Sequence, residues 1–201
     1  MYKTSKKYMP TYILIALNLA VYVYTSIIGN NFIETSDSVI TVYGQVNSLV
    51  YKGQYWQLFT AMFIHADLLH LFGNMFFLLI FGLRAEELFS TTEYFLIYLL
   101  SGLTGNLLTL LLGPQLVSVG ASGAIFGMFG AVAIYVRRAI GQSIMSALMY
   151  AFFLFMITSF SPNVNFLAHL GGLVAGLLIG YLLAVKRKFK VVYAYEYRYS
   201  Y

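Results

Sequence analysis

The chain has 201 residues, of which 60% are hydrophobic and only 9% charged, and its formal net charge is +5. Soluble domains carry about 25% charged residues, so this composition excludes an ordinary water-soluble domain and indicates a surface that mostly faces lipid. Cysteine is absent, which excludes disulfides, thiolate metal sites and a cysteine nucleophile. No break in composition divides the sequence, and we expect a single membrane domain over residues 1–201.

Six apolar stretches are long enough, or nearly long enough, to cross a bilayer, for which about 20 residues are needed. The sequence therefore predicts an all-α membrane protein, a bundle of six transmembrane helices. The connection between the first two is too apolar for disorder, so we expect a structured outer loop there. Residues 186–201 form a tail that we interpret as an interfacial anchor. The predicted helices cover residues 12–29, 68–83, 94–112, 121–136, 144–160 and 166–185.

Basic residues are unevenly distributed between the two sides that this arrangement defines. All 12 Lys and Arg residues except Lys52 lie on the side that holds both termini. Because cytoplasmic loops are rich in Lys and Arg, we expect both termini in the cytoplasm. The charges are divided among several short segments, so they indicate membrane topology, and we expect no nucleic-acid partner. The sequence does not predict the oligomeric state.

Two of the predicted helices contain polar residues of types that carry catalysis. Ser122 lies in the segment Val-Gly-Ala-Ser-Gly at the start of the fourth helix, and His169 lies in Ala-His-Leu-Gly-Gly of the sixth. An ionisable residue inside a span is costly and faces the protein interior, which makes His169 a functional candidate. A serine in a membrane helix is weaker evidence, because its hydroxyl often bonds a carbonyl one turn back.

The predicted depths of Ser122, His169 and His70 agree. Counted from the basic residue that ends each helix, they lie about 22, 25 and 21 Å above the cytoplasmic side at ~1.5 Å per residue. A hydrocarbon core is about 30 Å thick, so all three occupy one layer below the outer surface. The short fourth helix begins inside the membrane, and we expect Ser122 at the floor of an outward-open polar cavity.

Glycines allow the fourth and sixth helices to approach each other. Gly172 and Gly176 share the face of His169, and Gly123 and Gly127 repeat the same small-xxx-small spacing on the fourth helix. This spacing lets helix backbones pack closely in membranes. We expect contact along these glycines to carry the histidine toward the serine.

The second helix adds two hydrogen-bond donors. His70 and Asn74 are four residues apart and so lie on one helix face. Both can donate to a developing oxyanion, as acyl transfer requires. For His65 we favour a structural role in the loop. Asp67 is the outer carboxylate close to a histidine in sequence, and an orienting role toward the catalytic histidine is the less favoured alternative for it.

Together these segments resemble the rhomboid family of intramembrane serine proteases. The resemblance covers essentially the whole chain, with two departures: Gln57 stands where relatives often have Arg, and Phe126 stands where some have Tyr. The matching residues are Trp56, His65, His70, Asn74, Glu86, Gly120-Ala121-Ser122-Gly123 and Ala168-His169 followed by Gly172 and Gly176.

The resemblance implies a Ser122–His169 dyad without a third carboxylate. It also implies an oxyanion site from His70, Asn74 and the Ser122 backbone amide, and a ring at Phe126 stacked on the histidine. The implied activity is that of a serine endopeptidase that acts through an acyl-enzyme on transmembrane segments of other membrane proteins. We expect no metal and no cofactor, and a multi-pass protein of a bacterial plasma membrane.

Other interpretations stay open. A non-catalytic adaptor of the same fold would bind membrane helices without cutting them, although such proteins usually lack the serine or the histidine. A metal-dependent enzyme or a transporter would use His65, His70, His169 and Asp67, but the zinc motif H-E-x-x-H is absent. A substrate gate, or simply a lipid-facing surface, is expected at residues 161–165 and at Tyr150, Phe152, Phe153 and Phe155.

Overall fold

The computed structural model of the protein describes residues 9–139, 143, 145–146, 149–150, 153 and 164–187. In chain order the elements are α1 (Met9–Gly29), α2 (Asp37–Tyr43), β1 (Gln45–Val46), α3 (Asn47–Val50), α4 (Gln57–Thr60), a 3₁₀ turn (Ala61–Phe63), α5 (Leu68–Leu88), α6 (Thr91–Thr109), a second 3₁₀ turn (Leu110–Leu112), β2 (Val117–Ser118), α7 (Ser122–Ala139) and α8 (Phe166–Lys186).

Four helices of the described part are long and apolar enough to cross a membrane: α1, α5, α6 with its 3₁₀ extension, and α8. The mostly helical architecture and the membrane-spanning class are as predicted. The fourth predicted span forms α7, which has 18 residues and lies outside this set of four. Most of the fifth predicted span, 144–160, and nearly all of the tail lie outside the described residues, so the count of six stays a prediction.

Helix α5 is longer than the apolar run predicts. The run predicts a short span over 68–83, whereas α5 continues to Leu88 and has 21 residues. Polar residues extend the helix beyond its apolar run, because each finds a partner there. Arg84 pairs with Glu87 on the helix surface, and the buried Glu86 accepts a hydrogen bond of 2.5 Å from the backbone N–H of Thr11.

The connection between α1 and α5 is held against the bundle by buried amide side chains. Asn47 donates to the carbonyls of Thr109 and Gly113 at 2.9 and 2.8 Å. Gln57 accepts from the Val46 N–H at 2.9 Å and donates to the Thr41 carbonyl at 2.8 Å. Neutral amides thus provide the anchoring of this connection. Strand β1 also pairs antiparallel with β2.

Helix α7 lies at the centre, and α8 packs against it through backbone contacts. A Cβ on Gly172 would collide with the Gly123 carbonyl oxygen, and one on Gly176 would collide with that of Gly127. Farther along, a Cβ on Gly180 would lie 2.5 Å from the Ala131 carbonyl oxygen. The absence of side chains at these positions therefore sets the separation of the two helices.

The other end of α8 is fixed by Arg187. Its guanidinium donates to the Leu88 carbonyl and to the Tyr135 hydroxyl, both at 2.7 Å, and to the Glu93 carboxylate at 2.5 Å. Glu93 also belongs to a capping box with Ser90 at the start of α6. One side chain therefore joins the end of α8 to the α5–α6 turn and to α7.

We predict that Gly172→Ala lowers the free energy of unfolding by about 1–3 kcal/mol, the usual cost of inserting atoms into a packed interior. The matched control is Gly73→Ala in α5, where the glycine is exposed and a Cβ would meet nothing within 4 Å. That variant should be neutral, or more stable by up to about 1 kcal/mol from helix propensity. Unfolding in mixed micelles measures both. Equal stability of Gly172→Ala and the parent would refute close packing at this position.

Candidate active site

Ser122 and His169 are in direct contact. The Ser122 Oγ lies 2.8 Å from the His169 Nε2, although the residues are 47 positions apart in the chain. Ser122 is the first residue of α7, and His169 lies in the first turn of α8 with 7% of its surface exposed. A serine hydroxyl at this distance from an imidazole nitrogen has the geometry of a nucleophile and its general base.

Phe126 packs on the imidazole ring of His169. Its ring is stacked on the His169 imidazole with centroids 4.5 Å apart and an interplanar angle of 27°. Phe126 is one helical turn after Ser122 on α7, so the same helix presents the hydroxyl and holds the imidazole plane. A phenylalanine ring performs this packing without any contribution from a hydroxyl.

His70 is oriented by the first turn of α5. The Ala66 backbone N–H donates to the His70 Nδ1 at 3.4 Å, which makes that nitrogen the acceptor and leaves the proton of a neutral ring on Nε2. The Nε2 faces Gly120: a Cβ there would lie 3.0 Å from it and 3.9 Å from the Ser122 Oγ. Gly120 also has φ +124°, a conformation that L side chains rarely adopt. Glycine is thus required beside the serine for two reasons, the backbone and the neighbouring imidazole.

Asn74 and the Ser122 backbone complete the set of donors around the hydroxyl. Asn74 is buried, and its amide donates to the His70 carbonyl at 2.9 Å, one turn back. The first backbone bond of α7 runs from the Ile125 N–H to the Ala121 carbonyl at 3.0 Å. The Ser122 N–H precedes that bond and therefore belongs to the first N–H groups of a helix, which have no partner within it.

A cavity of about 1130 Å³ lies above these groups. Helices α2, α5, α6, α7 and α8 and the β2 segment contribute lining residues. Polar and apolar lining residues meet in it, so the space can hold both a peptide bond and an apolar side chain. The lining includes His70, Asn74, Ser122, Phe126 and His169.

The two remaining polar candidates have structural surroundings. Asp67 is the N-cap of α5 and accepts from the His70 N–H at 2.7 Å, so its carboxylate is used for capping and the orienting role toward His169 gains no support. His65 is fully buried with its ring edge against that of His70, at 5.3 Å between centroids. Burial, the largest cause, together with the charge of His70, lowers the pKa of His65 to about 3. A neutral, buried ring agrees with a structural role.

The described residues give no support to the metal interpretation and include only part of the expected gate. Among the residues that the structure describes, His, Asp and Glu side chains form no group of three that could hold a metal ion. Of the expected gate residues, Tyr150 and Phe153 are described and exposed. Phe152 and Phe155 lie outside the described residues, as do residues 161–163.

The sequence analysis includes Asn165 in the gate candidate 161–165 but misses its role in holding the start of α8. Its side chain joins α8 to α6 and to β2, through hydrogen bonds to Thr109 and Ser118. An Asn directly before an apolar helical run is an N-cap signal that could have indicated the first of its contacts, with the Ala168 N–H. The other two depend on residues far away in the chain, and no local pattern indicates them.

Comparison with known proteins assigns the class. The family model for the rhomboid domain matches residues 52–186, and the chain therefore belongs to the rhomboid family, as the resemblance predicted. It is a multi-pass membrane protein of a family that includes intramembrane proteases.

Three relatives illustrate the match. The chain is 32% identical to "Putative rhomboid protease YdcA" of Bacillus subtilis over 183 residues, which are 87% of this chain and 88% of that protein. It is 36% identical to "RHOMBOID-like protein 6, mitochondrial" of Arabidopsis thaliana over 164 residues, 78% of this chain and 53% of that protein. "Rhomboid-like protease 3" of Toxoplasma gondii is 31% identical, with 80% of this chain and 64% of that protein covered. The chain spans about half or less of the first plant relatives.

Proposed function

We propose that this protein is an intramembrane serine endopeptidase, with Ser122 as nucleophile and His169 as general base. The observation that carries the proposal is the 2.8 Å contact between the Ser122 Oγ and the His169 Nε2. The family assignment supports it, because several of the relatives are named as rhomboid proteases.

The chemistry is acyl transfer in two steps. The His169 Nε2 takes the proton of the Ser122 hydroxyl as the Oγ attacks the carbonyl carbon of the scissile bond. The tetrahedral intermediate collapses when the C–N bond breaks, and His169 returns the proton to the leaving amine. Water, deprotonated by the same imidazole, then attacks the acyl-enzyme and releases the acid product with Ser122 restored.

The negative charge of each tetrahedral intermediate falls on the former carbonyl oxygen. We assign its stabilisation to the Nε2–H of His70, the amide of Asn74 and the backbone N–H of Ser122. All three belong to residues that line one cavity, and the hydrogen bond at Nδ1 gives His70 the tautomer that donates at Nε2. Donors fixed before the reaction need no rearrangement as charge develops, which is why such sites accelerate acyl transfer.

The substrate in this proposal is a transmembrane segment of another membrane protein. The support is the depth of the serine counted from the basic end of its helix, which lies below the outer surface, and the exposed apolar residues of α5 beside the site. Gly120, Gly123, Phe126, Gly172 and Gly176 support the dyad by backbone conformation or packing, and neither a metal nor a cofactor takes part.

The proposal also covers the arrangement in the membrane. One domain over residues 1–201 forms six spans with both termini in the cytoplasm of a bacterial cell, in its plasma membrane. The support is the distribution of Lys and Arg, of which only Lys52 lies on the outer side. On the proposed inner side, Arg137 lies in the last turn of α7 and Arg187 directly follows α8, while Arg84 lies in α5 before its last turn.

A non-catalytic adaptor of the same fold is the second candidate, and a fluorophosphonate probe distinguishes the two. We predict covalent labelling at the serine of the parent and no labelling of Ser122→Ala. In Ser122→Ala and His169→Ala, cleavage of a transmembrane substrate should fall by about 10⁶-fold, as in other serine proteases that lose the nucleophile or base. Ser38→Ala, at an exposed serine of the outer connection, is the control. Cleavage that survives in either variant, at matched folding, would eliminate the dyad.

We predict that Asn74→Ala lowers kcat by about 10²–10³-fold with a smaller change in KM, because the lost donor acts only as charge develops. Asn106→Ala is the matched control: that amide is equally buried and likewise donates to a carbonyl, that of Leu58. Its loss should reduce stability and leave the kcat of the folded enzyme nearly unchanged. If the two variants behave alike, Asn74 has a structural role only.

We predict that reporter domains fused after Val185 and inserted in the outer connection near Lys52 report opposite sides of the membrane, because the basic residues favour the cytoplasm. Alkaline phosphatase and a fluorescent protein, active on opposite sides, provide the measurement. A fusion at the α5–α6 turn, beside Ser90, should match the one after Val185. Equal readings for the first two would overturn the six-span arrangement.

A further inference from the structure

The position of His169 depends on where α8 begins, because the histidine lies in the first turn of this helix. Asn165 is the N-cap: its Oδ1 accepts from the Ala168 N–H at 3.2 Å, and its carbonyl accepts from the His169 N–H at 3.3 Å. Both bonds are made within the turn that carries the imidazole. Anything that fixes Asn165 in space therefore fixes the base.

The same side chain makes two further hydrogen bonds to other parts of the fold. Its Nδ2 donates to the Thr109 Oγ1 at 2.7 Å and to the Ser118 Oγ at 2.9 Å. Thr109 is the last residue of α6 and is fully buried; Ser118 belongs to β2. The reverse orientation of the amide would point its N–H groups at the Ala168 N–H, so only the observed orientation satisfies all three partners.

Strand β2 leads directly to the nucleophile. The residue four positions after Ser118 is Ser122, and the segment between them is fixed by the Gly120 N–H, which donates to the Ala61 carbonyl at 2.9 Å. Asn165 therefore bonds, through one amide group, to the helix turn that carries the base and to the strand that leads to the nucleophile.

We propose that Asn165 is a positioning residue, which holds the start of α8 against β2 and α6 and thereby sets the distance between Ser122 and His169. This inference rests on the proposed function. Asp67, the nearby carboxylate, is used at the N-terminus of α5, so the amide tether of the helix supplies the positional control that a third catalytic residue supplies in a triad.

A plain capping role would give a different result on substitution. Asn165→Ser retains a good N-cap, because Ser and Asn rank together at this position. The shorter serine side chain can cap the helix but cannot also form the hydrogen bonds to Thr109 and Ser118. Thr109→Val and Ser118→Ala remove the tether from the other side while leaving the cap intact. The matched control is Thr104→Val on the same helix: Thr104 and Thr109 each donate to the carbonyl four residues back, and Thr104 is half-buried.

We expect Asn165→Ser and Thr109→Val to lower kcat by about 10- to 100-fold, since a misplacement of 1 Å can cost about 10²-fold. KM and the thermal midpoint should stay near the parent values, and the rate of fluorophosphonate labelling should fall with kcat. Thr104→Val should match the parent. The double variant Asn165→Ser with Thr109→Val should be no slower than the worse single variant, because both substitutions remove the same hydrogen bond between the two side chains.

The outcomes separate the two proposals. If the parent is neither labelled nor active, the proposed function itself fails. If the parent is active and Asn165→Ser and Thr109→Val retain its kcat, or lose activity only in proportion to the unfolded fraction, the positioning role is overturned and the dyad stands. Should Asn165→Ser fail to fold, Thr109→Val and Ser118→Ala provide the same test with the cap preserved.

Discussion

The contact between the α7 and α8 backbones is the constraint on which the rest of the site depends. Two helices with ordinary side chains between them lie 8–10 Å apart, whereas Gly172 and Gly176 bring α8 onto the carbonyl oxygens of Gly123 and Gly127. Because Ser122 and His169 are short extensions from these two backbones, a wider separation would leave the hydroxyl and the imidazole out of reach. In lipid no hydrophobic effect compresses helices, so this packing must come from van der Waals contact and shape.

Polar groups then secure the packed helices at both ends. At the C-terminal end of α8 Arg187 bonds Leu88, Glu93 and Tyr135. At its N-terminal end Asn165 bonds α6 and β2. Such bonds are costly to leave unmade in an apolar medium, because water is not there to replace a lost partner. Helix α8 is held at its two ends and packed on glycines along its length, so it has little freedom to rotate or slide. The position of the His169 imidazole is restricted in the same way.

The sequence predicted the apolar helices better than it predicted the contacts that hold them together. The spans at 12–29, 94–112 and 166–185 correspond closely to α1, α6 with its 3₁₀ turn, and α8, because long apolar runs leave little ambiguity. The predicted end of α5 was wrong. The apolar run stops at the first charged residue, whereas the helix continues because Glu86 bonds Thr11 of α1 and Arg84 pairs with Glu87 on the helix surface.

The side-chain hydrogen bonds that hold the α1–α5 connection and the start of α8 could not be predicted from the sequence, for a related reason. Asn47, Gln57 and Asn165 are polar residues in ordinary loop segments, and their partners lie far away in the chain. Periodicity and capping rules describe contacts within a few residues, so they cannot identify a side chain that joins three elements. Stacking of Phe126 on His169 came from family resemblance, because spacing alone does not say which ring faces a histidine in another helix.

The three helices that supply the proposed site all begin at it: α5 at Leu68, α7 at Ser122 and α8 at Phe166. A helix N-terminus presents unpartnered N–H groups and the positive end of the helix dipole. In α5 and α8 a side chain accepts from one of these groups, that of Asp67 or Asn165. The residue before α7 is Ala121, whose methyl group can accept no hydrogen bond.

The helix whose preceding side chain cannot cap it is therefore the one that carries the nucleophile. On the proposed mechanism, negative charge develops on an oxygen two bonds from the Ser122 Oγ, where N–H groups at the start of α7 can donate hydrogen bonds to it. A capping Ser, Asp or Asn at position 121 would accept from the N–H of Gly123 or Ala124 and would reduce the positive potential that this end of α7 offers the intermediate. The same argument explains why the flanking helices can be capped without cost to the chemistry: they contribute side chains, His70 and His169, while α7 contributes its backbone.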